Sequence, residues 1–358
     1  MAPVDVELFM KPEFQSRVQV LTTLPPTEGG VAEYSAALYR DLDVELLSDG
    51  EAWERNSLWS VVSLGRRLRG ELLHVQHEWL LYGHPIYNLV PLLALILNKL
   101  KGGRNVVTLH TVLPPAAIES EFLSRFGAER IPRFVAQVVV FVLTGLLCLL
   151  SDHLIVHTPE AETHLRERYR LSAITVIPHG LTPREPAYPE PPFTFRHVGL
   201  INEAKGVSVL LEALNEVSQP CEVIGRVQNG QFADAPAITD RFLSTAEYQR
   251  TIRDTDVLIL PYLKGEYYAA SGVLADAMAH GTAVIVTDIP QLITVVENEQ
   301  NGFVVPCGDS SALAAAIRYA ANNPEDVQRT ARELHQNAEK RSWSRARSLT
   351  REVYHEVA

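Results

Sequence analysis

Short apolar runs rich in Val, Ile and Leu recur along the chain, each followed by a stretch with helical spacing. In the first half they fall at 18–23, 72–76, 106–110, 154–157 and 175–177. In the second half they fall at 195–200, 221–224, 257–260, 283–287 and 303–305. Apolar strands alternating with helices predict parallel sheets covered on both faces. Between the two series, 182–192 (TPREPAYPEPP) holds five prolines in eleven residues, a density that no helix or central strand tolerates. It predicts an extended, semi-rigid linker. The pattern therefore reads as α/β, with two Rossmann-like doubly wound domains. The first spans 1–181, the linker 182–192 and the second 193–340; a C-terminal helix at 341–358 is expected to cross back to the first domain. Ligands of open parallel sheets bind beyond the carboxyl ends of the strands. Two such sheets facing across a cleft set two loop-built sites against each other.

Two segments depart from the pattern. The run 134–150 (FVAQVVVFVLTGLLCLL) is almost wholly apolar, and 89–97 (LVPLLALIL) is a shorter second one. Seventeen residues is the lower limit for crossing a bilayer, and a spanning helix inside the first domain would break its sheet. The run fits a buried helix or one lying against a membrane surface. Arg125, Arg130 and Arg133 stand just before it.

Composition narrows the functional classes. A chain of 358 residues that is 46% hydrophobic and 21% charged is an ordinary globular protein, neither disordered nor a disulfide scaffold. Its formal net charge of −11, with no dense basic cluster, argues against nucleic acid as a partner. Cys148, Cys221 and Cys307 lie far apart without a CxxC, and read as buried thiols of a reducing compartment. The first residues carry no apolar signal core. The expectation is a cytoplasmic protein, with peripheral membrane contact left open.

Candidate chemistry sits where strands end. The first strand runs into LPPTEGGVAE, where Gly29 and Gly30 open a helix; such a turn admits a ligand close to the backbone or is a plain tight turn. His110 ends VVTLH, placed to bond a substrate hydroxyl or to cap its loop. His74 and His77 point to opposite faces of one strand, which disfavours a metal site, and His157 and His179 end later strands. In VGLINEAKG, Gly199 ends a strand and Lys205 opposes a helix macrodipole, an awkward charge that a bound anion relieves. Ser271 and Gly272 precede a helix over 273–280 whose first amides form an anion cradle. Asp276, one turn in, reaches a sugar's vicinal hydroxyls or simply partners the dipole.

Taken in order, PPTEGGVAEY, TLHT, SDHLIVHTPE with VIPHG, GLINEAKG, DTDVLILPY, SGVLADAMAHGTAVIVTD and NGFVVP resemble the GT-B glycosyltransferases, specifically the retaining family 4 group (glycosyl transferases group 1). The resemblance covers most of the chain. It implies transfer of a sugar from a nucleotide-diphosphate-sugar donor, held mainly by the second domain, to a glycan, lipid-linked or small-molecule acceptor. Lys205 matches the lysine that neutralises the leaving diphosphate, and Leu200 stands where many members carry its arginine partner. Ser271, Gly272 and Val273 match the loop whose amides hold the diphosphate, and Asp276 the second acid of a Glu, seven residues, Glu motif. Tyr268 replaces the first acid, with Glu266 two residues earlier. The resemblance places His110 near the reacting carbon of the donor sugar and Gly29 and Gly30 against the donor. It implies no metal and no cofactor. The competing readings are a non-catalytic GT-B module and a disaccharide phosphorylase.

Overall fold

A computed structural model of the chain describes residues 17–24, 30–47, 58–79, 81, 89–118, 123, 130–171, 173–228, 232, 235–263, 268–297 and 300–358. The first domain comprises Val18–Leu21 (β1), Gly30–Tyr39 (α1), Glu45–Leu47 (β2), Leu58–Arg67 (α2), Leu72–His77 (β3), Leu89–Leu100 (α3), Arg104–Leu109 (β4), Thr111–Val112 (β5), Arg133–Leu150 (α4), His153–Val156 (β6), Pro159–Arg168 (α5) and Ile174–Val176 (β7). Its parallel sheet has the order β2-β1-β3-β4-β6-β7, reversing direction between β1 and β3.

The second domain comprises Phe195–Val198 (β8), Val207–Leu214 (α6), Cys221–Gly225 (β9), Ile238–Asp240 (β10), Thr245–Arg253 (α7), Val257–Leu260 (β11), Tyr268–Ala269 (β12), Gly272–His280 (α8), Ala283–Thr287 (β13), Pro290–Ile293 (α9), Phe303–Val305 (β14), Ser310–Asn322 (α10) and Pro324–Gln336 (α11). Its parallel sheet has the order β10-β9-β8-β11-β13-β14, so the switch lies between β8 and β11. Strands β2 and β10 add edges that the apolar pattern misses, because ELL and ITD are short and partly exposed.

Each sheet buries an apolar layer on both faces. On one side of the first, Leu73, Val75, Val107, Leu154 and Val156 pack with Leu92, Leu95 and Leu147. On the other, Val18, Val20 and Ile155 meet Ala346, Val353 and Tyr354 of Trp343–Val357 (α12). Helix α12 follows the second domain yet covers the first sheet, and Arg347 fastens it by donating to the carbonyls of Ala37 and Leu38. The proline-rich segment has no regular structure and runs along the end of α8, with Arg184 N and Ala187 N donating to the carbonyls of Ala279 and His280. Leu181 and Ser342 pair where the chain leaves and re-enters the first domain.

Helix α4 settles one alternative left open by the sequence. It buries only Ala136, Val140, Thr144, Leu147 and Cys148 of its eighteen residues, one stripe at near-helical spacing. Phe134, Val138, Phe141, Val142 and Leu149 are exposed, beside Leu93, Ile96 and Leu100 of α3. The buried-helix reading fails, because the sheet offers only one face for α3 and α4 to share, and their outer sides stay apolar.

Candidate active site

In the second domain the β8–β11 switch point builds an anion-ready corner. After β8, Gly199 passes close to Val273, whose Cγ2 lies 3.7 Å from where a Cβ on Gly199 would sit. The Asn202 side chain then caps a tight turn, Glu203–Lys205, by accepting from Lys205 N at 3.0 Å. Gly206 has φ +68°, and a Cβ there would collide with the Pro261 carbonyl, so only glycine lets the turn pack against the end of β11. That packing holds Lys205 Nζ 3.7 Å above the Tyr262 ring. Ser271 caps α8 by accepting from Leu274 N. The Gly272 and Val273 amides lie in its first turn and have no intrahelical acceptor. Leu200 is half-exposed at the strand end, and contributes no second cation.

The first domain contributes a cluster of buried rings. Tyr34 of α1 sits at its centre, with ring centroids 4.7 Å from His110, 5.2 Å from His157 and His179, and 5.1 Å from Trp343. Helix α1 delivers Tyr34, the ends of β4, β6 and β7 deliver the histidines, and α12 supplies Trp343. His179 reaches the second domain, with Nε2 3.9 Å from where a Cβ on Gly272 would be.

The hydrogen bonds fix the protonation of His110. His157 Nδ1 donates to the Ile177 carbonyl at 2.8 Å, so His157 Nε2 is an acceptor. His110 Nδ1 therefore donates to it at 3.2 Å. A neutral His110 then has its lone pair at Nε2, where the atom placed 2.7 Å away is Gln76 Oε1. Two acceptors cannot bond, so the Gln76 amide is assigned the other way round, its N–H donating to His110 and its oxygen accepting from Tyr39 Oη. Burial and the facing histidines hold His110 well below its ordinary pKa, and burial also lowers His157. Next to this loop Glu78 accepts from Thr111 Oγ1 at 2.6 Å and from Trp79 N at 2.8 Å, and burial raises its pKa.

Other residues singled out by the sequence lie elsewhere. Tyr268 is in β12, which pairs antiparallel with β5 across the domains, and its ring lies against His164 of the first domain, 5.3 Å between centroids. The Asp276 carboxylate does not stand open beside the loop. It accepts from Tyr248 Oη at 2.9 Å and Gln249 Nε2 at 3.1 Å, and burial raises its pKa. Gly30 begins α1 with open space around it. Gly29 and Glu266 lie outside the described residues. His74 bonds Tyr39, Tyr354 and Thr108, and His77 packs edge-on against Trp79. Among the described residues no group of three or more His, Cys, Asp or Glu is disposed to hold a metal ion. Tyr34, Gln76 and Trp343 were passed over in the sequence because nothing local marks them as neighbours of strand ends.

The buried histidines make stability depend on pH. Burial lowers His74 to about 3, and His77, His179 and His197 to about 4. The unfolded chain takes up these protons near pH 6.5 and the folded chain does not, so the unfolded state binds more protons between these values. Stability is full above about pH 6.5 and falls as pH drops towards 4, by about 1.4 kcal/mol per pH unit for each such histidine. Denaturant melts at pH 7, 6 and 5 should show midpoints falling steeply; a flat profile would mean the imidazoles are not neutral and buried.

Comparison with known proteins places this geometry. Residues 192–323 match the family described as glycosyl transferases group 1. The Anabaena protein HepE, solved with UDP and glucose, superposes with a TM-score of 0.71 over 96% of this chain and 100% of its own, at 14% identity. Sucrose-phosphate synthase of Thermosynechococcus elongatus superposes at 0.69 over 95% and 98%, at 16% identity. The chain has the GT-B fold, and its second domain matches the glycosyl transferases group 1 family. A phosphatidyl-myo-inositol mannosyltransferase of Mycobacterium leprae is 29% identical over 55% of the GT-B chain and 59% of its own length. The match thus spans little more than half of that relative. The Lys205 corner belongs to the second domain and the His110 cluster to the first, and the two domains meet where His179 approaches Gly272.

Proposed function

We propose that the protein transfers a sugar, with retention, from a nucleotide-diphosphate donor to a glycan or lipid-linked acceptor. The observation that carries this reading is the cationic, amide-lined corner at the start of α8, with the first domain's ring cluster reaching Gly272 through His179. Lys205 and the amides of Gly272 and Val273 are suited to a leaving diphosphate. His110 stands at the carboxyl end of β4, in the ring cluster whose His179 approaches Gly272. The known proteins support the reading: HepE was solved with UDP-glucose as well as with UDP and glucose, and the mycobacterial relative is named a mannosyltransferase. Charge stabilisation and positioning then do the catalysis. The lysine and the helix amides supply the positive charge without a metal, so transfer persists in EDTA.

The test has two stages. A thermal-shift panel of UDP-, GDP-, ADP- and TDP-sugars identifies the donor, since a ligand of the folded state raises the melting temperature. Release of free nucleotide diphosphate only when an acceptor is added then establishes transfer. Donor binding without acceptor-dependent release would leave a binding module, the alternative that the missing first acid at Tyr268 suggests.

The outer face of α3 and α4 fits this function as a docking surface for a lipid bilayer. From Phe134 to Leu150 α4 carries no charge, and its exposed side joins the exposed leucines of α3. Arg130 and Arg133 are exposed at one end and suit anionic headgroups, unlike the net charge of the whole chain. Such a surface brings the cleft to a lipid-linked acceptor. The protein should sediment with anionic vesicles at low salt, and the double variant Phe134→Asp, Leu149→Asp should lose most of that binding with its fold intact. No sedimentation of the unaltered protein would remove the membrane from the proposal.

A further inference from the structure

Beside the first turns of α8 a cavity of about 120 Å³, whose lining does not include Lys205, lies between the two domains. Thr158 and His179 line it from the first domain, Ser271, Gln291 and Thr294 from the second, and Arg341 from the segment that returns to the first. Among the described residues its wall includes no carboxylate, and Arg341 is the one charged residue there. In a chain with 43 acidic residues against 32 basic ones, a cation so placed without an acid is informative. Among the described residues the Arg341 guanidinium has no ion-pair or hydrogen-bond partner, and burial alone lowers its pKa. A partly buried cation with no acid beside it has an anion as its natural complement.

The other polar groups on the wall have the matching sense. Ser271 Oγ accepts from Leu274 N and Thr158 Oγ accepts from Ala161 N, so each hydroxyl keeps its proton to donate into the cavity. No hydrogen bond within the protein engages the Gln291 side chain among the described residues, which leaves its amide protons available. His179 spends Nδ1 on the Gly180 carbonyl, so its Nε2 accepts the proton of a singly protonated phosphate. The space is close to that of an engineered cavity of about 150 Å³ that takes up benzene. It admits a group the size of phosphate, and not a nucleotide.

We propose that this cavity is a binding site for a phosphoryl-type anion, held by Arg341 with the Ser271, Thr158 and Gln291 donors. An anion there bonds both domains and the returning segment at once, and so favours the arrangement in which the cleft is assembled. The same chemistry is offered by free inorganic phosphate and by the phosphate ester of an acceptor. The site stands whether or not the protein transfers sugars, because its readout is binding.

The test is thermal melting in inorganic phosphate or glucose 6-phosphate, against sodium chloride of equal ionic strength. Saturating phosphate should raise the melting temperature by about 2–4 °C. Arg341→Gln should abolish that rise while keeping the rise given by the nucleotide diphosphate of the donor. Lys205→Ala should keep the rise given by phosphate, which separates this site from the donor corner. Gln291→Glu supplies the missing carboxylate: it should raise the melting temperature without ligand and remove the response to phosphate, and it serves if Arg341→Gln does not fold. A larger rise with glucose 6-phosphate than with phosphate identifies an ester as the source, and the opposite order identifies the free ion. No phosphate-specific rise in the unaltered protein, or a rise kept by Arg341→Gln or lost in Lys205→Ala, overturns the proposal.

Discussion

Replacing Lys205 with alanine should lower turnover by ~10²–10³-fold, the usual cost of losing one group that stabilises developing charge, and should leave the fold intact. The lysine is held for this task by its surroundings. The tight turn that carries it is capped by Asn202 and locked by Gly206 against the end of β11, and the Tyr262 face holds the ammonium by a cation–π contact. Among the described residues it has no carboxylate partner, so the charge is available to a ligand. Leu200 leaves it without a second cation, which concentrates the loss in one residue. Removing a half-exposed side chain that holds nothing else should cost little stability. The check is kcat and donor KM beside a thermal melt: a fall mainly in kcat with an unchanged melt is expected. Lys205→Arg should recover only part of the rate, because a guanidinium over Tyr262 places its charge differently. Near-normal turnover by the alanine variant would remove Lys205 from the chemistry.

The architecture was legible because it is written in local patterns. Apolar runs and the proline cluster mark strands and linker whatever surrounds them, and the strands fall within a residue or two of those runs. The helix following Lys205-Gly206 begins at Val207, where the glycine forces a break. The site was legible only where its residues sit on those same elements, as Lys205, Ser271 and His110 do. What pairs across the domains could not be read. Thr111–Val112 and Tyr268–Ala269 are too short to signal strands alone, and they pair only because two folded domains bring them together. That pairing turns Tyr268 towards His164, and it shows the position spent on holding the domains together. Asp276 illustrates a second limit: its place on α8 follows from the sequence, but its partners Tyr248 and Gln249 come from α7, whose docking no local pattern specifies. Hydrophobicity of Phe134–Leu150 was evident, yet its exposure depends on how many helices share one sheet face.

His110→Ala should abolish sugar transfer while largely preserving binding of the nucleotide diphosphate. The two effects separate because the histidine lies on the first-domain side of the cleft, and the diphosphate corner is built wholly from the second domain. The ring is neutral, with Nδ1 donating to His157 and Nε2 accepting from the Gln76 amide. On the proposed function, a donor-sugar hydroxyl takes the place of the amide at Nε2, and His110 then positions the sugar as an acceptor of its hydrogen bond and not as an acid. Two measurements distinguish this role from a structural one. First, His110→Asn should keep more activity than alanine, since its side-chain oxygen can accept in place of Nε2. Second, His157→Phe preserves a ring against Tyr34 but removes the acceptor that fixes the His110 tautomer. The freed His110 can then carry its proton at Nε2, and transfer should fall about 10-fold or more with a small change in melting temperature. Equal loss of transfer and nucleotide binding in His110→Ala, together with a collapsed melt, would identify His110 as a structural member of the ring cluster.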